Sequence, residues 1–172
     1  NVTNDNKDSA LFFFFFNDNP RIVKMLIEKK ADVNIKSYSG RTPLMNAAWE
    51  GSREIVKLLI EAGADLDKVC DNPGWHHGKT ALHFALISST NDYADKFGKR
   101  YEYYFRHSYA ASILIEAGAA LNIQDDEGKT PLHYAVQRRY FDIARKLIDA
   151  GADLDVQDKY KKTPLHYTLK RS

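Results

Sequence analysis

Short apolar stripes recur along this chain at the spacing of helical turns, and polar stretches separate them. In one stripe Leu59 lies three residues after Val56 and four after Ile55, and Leu147 lies four residues after Ile143 in a later one. Apolar residues at this spacing share one face of an α-helix. Each stripe therefore predicts an amphipathic helix whose apolar face packs against a neighbouring element.

A tetrapeptide that begins with threonine recurs four times between these stripes. In chain order it reads Thr42-Pro43-Leu44-Met45, Thr80-Ala81-Leu82-His83, Thr130-Pro131-Leu132-His133 and Thr163-Pro164-Leu165-His166. A threonine can cap the free N–H groups of a helix, and a proline fits the first turn because its missing donor costs nothing there. Each tetrapeptide therefore predicts the start of a helix.

The threonines and the glycines that close the later stripes lie at regular spacings along the chain. Gly63 follows Thr42 by 21 residues, Gly151 follows Thr130 by 21, and Thr163 follows Gly151 by 12. The resulting period is 33 residues. This period, together with the Thr-Pro-Leu-His motif, resembles the ankyrin-repeat family. The resemblance implies an all-α solenoid of stacked helix pairs with β-hairpin finger loops between them.

The same period divides the chain into five units within a single domain, residues 1–172. The units lie near 1–34, 35–67, 68–122, 123–155 and 156–172, and the fifth is truncated. The first is degenerate, and Lys30 replaces its closing glycine, so we expect a strained or differently shaped helix end there. Insertions near 68–74 and 90–106 enlarge the third unit. The aromatic spacing of Tyr93, Phe97, Tyr101 and Tyr104 predicts a lengthened helix in the second insertion.

Composition changes this picture little. The chain has 25 Lys and Arg against 23 Asp and Glu, a net charge of +2, which gives no reason to expect nucleic acid or an anionic membrane as partner. Its longest apolar run, residues 10–16, is far shorter than the roughly 18 residues of a membrane-spanning helix. The single cysteine, Cys70, cannot form an internal disulfide and favours a reducing compartment such as the cytoplasm. A secreted or periplasmic location stays open.

Three of the six histidines, His83, His133 and His166, occupy the fourth place of the motif. One turn into a helix, an imidazole can bond the local backbone and the capping threonine. A slot that repeats in every unit needs a cause that repeats in every unit. We therefore interpret these histidines as structural.

The sequence gives little support for a metal site or for catalysis. Cys70, Asp71, His76 and His77 lie close together on the third unit's long finger, but their spacing matches no paired zinc-ligand pattern. The chain contains no glycine-rich phosphate loop, G-x-S-x-G or H-E-x-x-H motif. We expect no metal, no cofactor and no enzymatic activity within these residues.

The resemblance implies a partner surface on the concave face, which the fingers and the first helix of each unit line in ankyrin proteins. This surface is rich in aromatic side chains, the residue types that most often dominate binding energy. By position it comprises Tyr38, Arg41, Trp49, Glu50, Trp75, His76, His77, Phe84, Glu127, Lys129, Tyr134, Gln137, Arg138 and Tyr160. We expect a non-catalytic module that binds another protein there. The alternative is the recognition part of a larger effector or enzyme whose catalytic portion lies outside this chain.

Two segments carry further hypotheses. Phe12 and Phe16 bound a run of five phenylalanines, which goes fully round a helix and cannot hide on one packing face. The run predicts either a structural cap on a monomer or an interaction or dimer patch. Basic and aromatic residues interleave at 96–107, a pattern that can bind single-stranded nucleic acid, but Glu102 and two nearby aspartates dilute the charge. We favour packing of these aromatics against the solenoid.

Overall fold

A computed structural model describes residues 18–74, 76–87 and 100–168 of the chain. These residues form seven α-helices and one short 3₁₀ helix. The elements are α1 Pro20–Glu28, α2 Pro43–Glu50, α3 Arg53–Glu61, α4 Ala81–Ile87, α5 Arg100–Glu116, α6 Pro131–Gln137, α7 Phe141–Asp149 and the 3₁₀ helix Pro164–Tyr167.

The helices stack in two layers that follow the order of the chain. The inner layer consists of α2, α4, α6 and the 3₁₀ helix, and the outer layer consists of α1, α3, α5 and α7. Each helix contacts its neighbours in its own layer, and α2, α4 and α6 each pack against the outer helix that follows. The predicted all-α stack of helix pairs is confirmed.

The core lies between the two layers, where the repeated motif places its leucines. Leu44, Leu82 and Leu132 are fully or almost fully buried, and Leu59 and Leu147 meet them from the outer helices. A buried leucine side chain contributes about 1.5–3 kcal/mol by leaving water. The stack is therefore held mainly by contacts that each unit makes with the next.

The helix ends follow the predicted signals. Thr42 caps α2, because its hydroxyl accepts a hydrogen bond from the Met45 amide at 3.3 Å. Gly63 takes up the left-handed conformation after α3 with φ +83°. Lys30 adopts the same conformation after α1 with φ +63°. The first unit thus keeps the shape of the later helix ends, at the roughly 1 kcal/mol that a side chain adds in this region.

The structure confirms one prediction about the insertions and corrects one about the fingers. Helix α5 has 17 residues where α3 and α7 have nine, so the lengthened helix is confirmed over residues 100–116. The earlier part of that insertion, residues 88–99, and the phenylalanine run lie outside the described residues. The fingers are hairpin-shaped turns rather than β-hairpins, since no described residue belongs to a strand. No helix in the described ranges is long and apolar enough to cross a membrane.

Candidate functional site

Four finger loops project beside the inner helices, and the same backbone hydrogen bond closes each of them. We name them finger 1 (residues 37–41), finger 2 (70–79), finger 3 (125–129) and finger 4 (158–162). The amide of the first residue donates to the carbonyl of the last, at 2.9–3.0 Å, in all four. In finger 3 the Lys129 amide donates to the Asp125 carboxylate at 3.0 Å instead of back to the Asp125 carbonyl. Asp158 does the same in finger 4, so in these two fingers a carboxylate takes the place of a second rung of a β-ladder.

The last residue of each finger is basic, and in fingers 1 to 3 it lies over an aromatic ring of the next unit. The Arg41 Cζ atom is 4.9 Å from the centre of the Phe84 ring. The Lys79 Nζ atom is 5.5 Å from the centre of Tyr134, and the Lys129 Nζ atom is 5.4 Å from that of Tyr167. These cation–aromatic contacts form a ladder that runs across the units along the inner layer. We call it the basic–aromatic ladder.

The second rung of the ladder contains a buried carboxylate. Asp125 Oδ2 accepts from Lys79 Nζ at 2.5 Å and from the Tyr134 hydroxyl at 2.6 Å. Burial acts to raise the pKa of Asp125, but the hydrogen bonds from Lys79 and Tyr134 outweigh it and hold the pKa below its usual value. Burial and the bond to Asp125 raise the pKa of Tyr134. Lys79 and Asp125 therefore form a buried ion pair, and the Tyr134 hydroxyl donates to its carboxylate. Little of this carboxylate is left exposed to a ligand.

The motif histidines join the units, as well as capping their own helices. His83 Nδ1 accepts from the Thr80 amide at 3.2 Å, and this fixes the proton on Nε2, which donates to the Lys129 carbonyl at 3.1 Å. His133 repeats the arrangement with the Lys162 carbonyl at 3.0 Å. Burial is the main cause that lowers the pKa of His83 to about 4. The structural interpretation of this slot is confirmed for both residues, and the bond to the next finger was not foreseen.

Three of the residues expected to face a partner are buried. Phe84 is 0% exposed, and Tyr134 and Lys129 are each 8% exposed. The expectation that these side chains present accessible surface is wrong. The basic residue of the preceding finger covers each aromatic ring, and Lys129 lies between Tyr134 and Tyr167.

Other expected residues keep accessible surface along the same face. Tyr38 on finger 1 is 79% exposed and Tyr160 on finger 4 is 63% exposed. Glu50 and Gln137 are exposed on α2 and α6, and Arg138 is half-buried just beyond α6. Exposed aromatics therefore lie at both ends of the face.

Two expected residues make close polar contacts between or within fingers. His77 Nδ1 lies 2.6 Å from Asp126 Oδ1, which joins finger 2 to finger 3. Glu127 pairs with Lys129 Nζ at 2.8 Å within finger 3. Trp75 lies outside the described residues.

The first rung of the ladder is the centre of a half-open aromatic cluster. Trp49 lies 5.2 Å from His76 and 5.9 Å from Phe84, measured between ring centres, and the Arg41 Cζ atom is 5.0 Å from the centre of the Trp49 ring. We call Arg41, Trp49, His76 and Phe84 the Arg41 cluster. A small cavity of about 100 Å³ opens beside it, lined by Ser39, Arg41, Asn72, Gly74 and His76.

Charges in the Arg41 cluster are poorly balanced. Burial lowers the pKa of Arg41, and the ionisable groups of Cys70 and Glu50 offset this only in part. Burial, followed by the nearby charges of Arg41 and Lys79, lowers the pKa of His76 to about 4. His76 is therefore neutral at physiological pH, and its Nδ1 atom is buried without a hydrogen-bond partner.

The carboxylates of fingers 3 and 4 were missed, although the chain carries a signal for them. Asp125 and Asp158 each stand five residues before a motif threonine, and each bonds the tyrosine that follows the motif histidine. Where Cys70 takes the place of the aspartate, the aromatic residue is Phe84, which has no hydroxyl to donate. The aspartate and the tyrosine thus change together, to cysteine and phenylalanine. This paired change is the sequence signal for the contact between carboxylate and tyrosine.

The described residues do not assemble a recognisable reaction centre. Within the described ranges no three His, Cys, Asp or Glu side chains come together in a way that could hold a metal ion. The Cys70 thiol is buried and lies 3.5 Å from the Ser39 carbonyl. What this face offers is a row of aromatic and charged side chains suited to contact rather than to reaction.

Comparison with known proteins agrees with this architecture. A family model described as ankyrin repeats in three copies matches residues 1–70, and one described as ankyrin repeats in many copies matches residues 114–167. The chain is 33% identical over 126 residues to the human "Ankyrin repeat and KH domain-containing protein 1", a match that covers 73% of this chain and 4% of that protein.

Two further relatives match the chain over shorter stretches. The rice "Probable E3 ubiquitin-protein ligase XBOS33" is 37% identical over 78 residues, 45% of this chain and 14% of that protein. The human "Neurogenic locus notch homolog protein 1" is 36% identical over 118 residues, 61% of this chain and 4% of that protein. The chain thus spans a small part of each relative that it matches. The repeated motif, the two-layer stack and the matched family models agree that the chain belongs to the ankyrin-repeat family.

Proposed function

We propose that this chain is a non-catalytic module that binds another protein on the face formed by the four fingers and the inner helices. Ankyrin repeats are typically protein–protein interaction modules. The observation that carries the proposal is the exposure of Tyr38 and Tyr160 at opposite ends of this face. Tyrosine buries a large area at small entropic cost when a partner covers it.

The shape of the face supports a protein partner better than a small molecule. A larger cavity, of about 510 Å³, lies elsewhere, beside α3 and α5. The cavity on the finger side holds only about 100 Å³, below the ~300 Å³ that small-molecule sites usually reach. An open surface with a few aromatic anchors is the arrangement that a folded domain or a peptide can cover.

The test is a selection of binders followed by a comparison of matched variants. Peptides selected on the immobilised chain from a random display library would be titrated against wild type, Tyr38→Ala, Tyr160→Ala and Phe141→Ala. Phe141 is 61% exposed on outer helix α7 and serves as the control. We expect the two tyrosine variants to weaken binding by about tenfold or more and the Phe141 variant to leave it unchanged. Equal losses in all three variants, or loss in Phe141→Ala alone, would place the binding surface elsewhere.

A second reading is that the chain is the recognition part of a larger effector or enzyme. It is supported by relatives in which the matched repeats make up 4–14% of the protein, one of them named a probable E3 ubiquitin-protein ligase. The full reading frame of the source gene would decide this. An adjoining catalytic domain would support it, and a chain confined to these repeats would remove it.

A further inference from the structure

We infer that the Arg41 cluster binds an acidic side chain, aspartate or glutamate, of the protein partner. This inference rests on the proposed function and gives the partner a chemical class. Its basis is a difference between the first and second rungs of the basic–aromatic ladder.

The second rung shows what a complete arrangement contains. Lys79 lies over Tyr134 and forms an ion pair with Asp125 at 2.5 Å, so the buried cation has a buried counter-charge. Lys129, the next basic residue along, also has an anionic partner, Glu127 at 2.8 Å.

The first rung has the cation but no described carboxylate in contact with it, since the charge of Glu50 acts on Arg41 from beyond ion-pair distance. Arg41 takes the place of Lys79, Phe84 takes that of Tyr134, and Cys70 takes that of Asp125. No carboxylate in the part of the chain that the structure describes forms an ion pair with Arg41. The guanidinium is half-buried against two aromatic rings, where water solvates it less well than at an open surface. A carboxylate supplied by a partner would restore the balance that the second rung already has.

The surroundings of Arg41 suit a carboxylate in shape and in hydrogen bonding. A guanidinium binds a carboxylate through two parallel hydrogen bonds, and its stacking on Trp49 and Phe84 holds its plane in place. The adjoining cavity of about 100 Å³ admits a short side chain. His76 borders this cavity, and its Nδ1 atom has no hydrogen-bond partner. The neutral imidazole can donate a second bond to the same carboxylate.

A protein partner fits these observations better than a nucleic acid. The cluster contains one permanently charged group, and the whole chain carries a net charge of only +2. Nucleic-acid binding depends on several cations that neutralise consecutive phosphates. A single stacked guanidinium matches a single carboxylate.

The experiment compares two synthetic peptides of about 12 residues that differ only in having glutamate or glutamine at alternate positions, spaced by glycine and serine. Binding to wild type, Arg41→Gln, Arg41→Lys and the control Arg145→Gln is measured by isothermal titration. Arg145 is an exposed cation on outer helix α7, away from the fingers, so its removal changes the net charge equally. Circular dichroism verifies that each variant is folded.

We expect wild type to prefer the glutamate peptide by about tenfold, the size of one charge-assisted contact. Arg41→Gln should abolish the preference, Arg41→Lys should keep part of it, and Arg145→Gln should keep it. In wild type the glutamate peptide should also raise the pKa of His76, followed by NMR of its imidazole, because an adjacent carboxylate favours the imidazolium.

Several results would overturn the inference. They are a wild type without preference, an Arg41→Gln variant that retains it, equal loss in Arg145→Gln, or a single-stranded oligonucleotide that binds in an Arg41-dependent way. Selected peptides that need Tyr38 and Tyr160 but lack acidic residues and ignore Arg41→Gln would refute the inference and leave the proposed function intact. Selected peptides indifferent to both tyrosines would refute the proposed function itself.

Discussion

At the scale of single residues, the motif histidine shows how one side chain stabilises two units. His83 accepts from the Thr80 amide, lies 2.9 Å from the Thr80 hydroxyl and donates to Lys129 in the next finger. His166 makes the same local contacts to Thr163, but it is exposed at the end of the stack. The two residues are therefore a matched pair that separates capping from cross-unit bonding.

We predict that His83→Ala lowers the free energy of unfolding by about 2–4 kcal/mol, because it leaves a cavity, removes the bond to finger 3 and takes the acceptor from the buried Thr80 amide. His166→Ala should cost about 1 kcal/mol or less, since it loses only a cap. Urea unfolding followed by circular dichroism measures both. Equal costs for the two variants would show that the bond to the next finger contributes nothing.

The same histidine gives stability a pH dependence of known sign. The pKa of His83 is about 4 in the folded chain and about 6.5 in an unfolded one. Between these values the unfolded state binds more protons, so the contribution is fully present above about pH 6.5 and is lost as the pH falls toward about 4. The pKa values of Asp125 and Asp158 are held below their usual range, so their contributions are lost only at lower pH.

We predict that His83 alone lowers the free energy of unfolding by about 2 kcal/mol between about pH 7 and pH 5, as an order of magnitude for one buried histidine. His83→Gln should remove this share, because glutamine at this helix position can still cap without titrating. The dependence that remains belongs to His76 and His133, whose pKa values burial also lowers. The measurement is urea unfolding at a series of pH values. A slope that persists unchanged in His83→Gln would assign it to other groups.

The residue-level expectations succeeded where one unit decides the outcome and failed where two units meet. The histidine slot follows from the motif alone, because Thr80 and His83 belong to one helix start. The outward direction of Phe84 and Tyr134 did not hold, because a basic residue of the preceding finger covers each ring. Spacing along the chain does not tell how far one finger overlaps the next unit.

At the scale of elements, the fingers pack on one another through backbone as well as side chains. A Cβ atom on Gly78 would lie 2.9 Å from the Asp125 Cα atom and the Asp126 amide nitrogen of finger 3. Gly63, at the end of α3, has a similar positive φ but nothing within 4 Å of its would-be Cβ atom. This pair separates the cost of the backbone conformation from the cost of a clash between fingers.

We predict that Gly63→Ala destabilises the fold by about 1 kcal/mol, the usual cost of a side chain at positive φ. Gly78→Ala should cost clearly more, because it must also push finger 2 away from finger 3 and weaken the pair between His77 and Asp126. Thermal unfolding of both variants measures the difference. Similar costs would mean that the fingers are free to separate.

The elements were predictable to different degrees for a physical reason. Helices follow from apolar periodicity and capping residues, which are local, and α2, α3, α6 and α7 form where the motif predicts them. The finger conformation depends on Asp125, whose carboxylate takes the Lys129 amide that a β-ladder would use. That competition between a side chain and the backbone is not visible in periodicity.

At the scale of the whole molecule, each described unit contacts only its neighbours in the stack, so stability is a sum of local and nearest-neighbour terms. A central unit has a neighbour on each side. The last described element, the 3₁₀ helix, contacts α6 within the described residues. Leu132 and Leu165 occupy the same motif position, yet the first is 1% exposed and the second is 72% exposed.

This difference predicts a gradient of opening along the chain. Amides of α6 should exchange with solvent hydrogen at least about tenfold more slowly than those of the 3₁₀ helix, because opening α6 exposes two interfaces and opening the 3₁₀ helix exposes one. Hydrogen exchange followed by NMR measures this for each amide. Leu132→Ala should speed exchange in α4, α6 and the 3₁₀ helix together, whereas Leu165→Ala, which removes little buried surface, should leave α4 unchanged. Uniform protection from α4 to the 3₁₀ helix would show that the stack opens as one cooperative body, and the nearest-neighbour description would then be wrong for this chain.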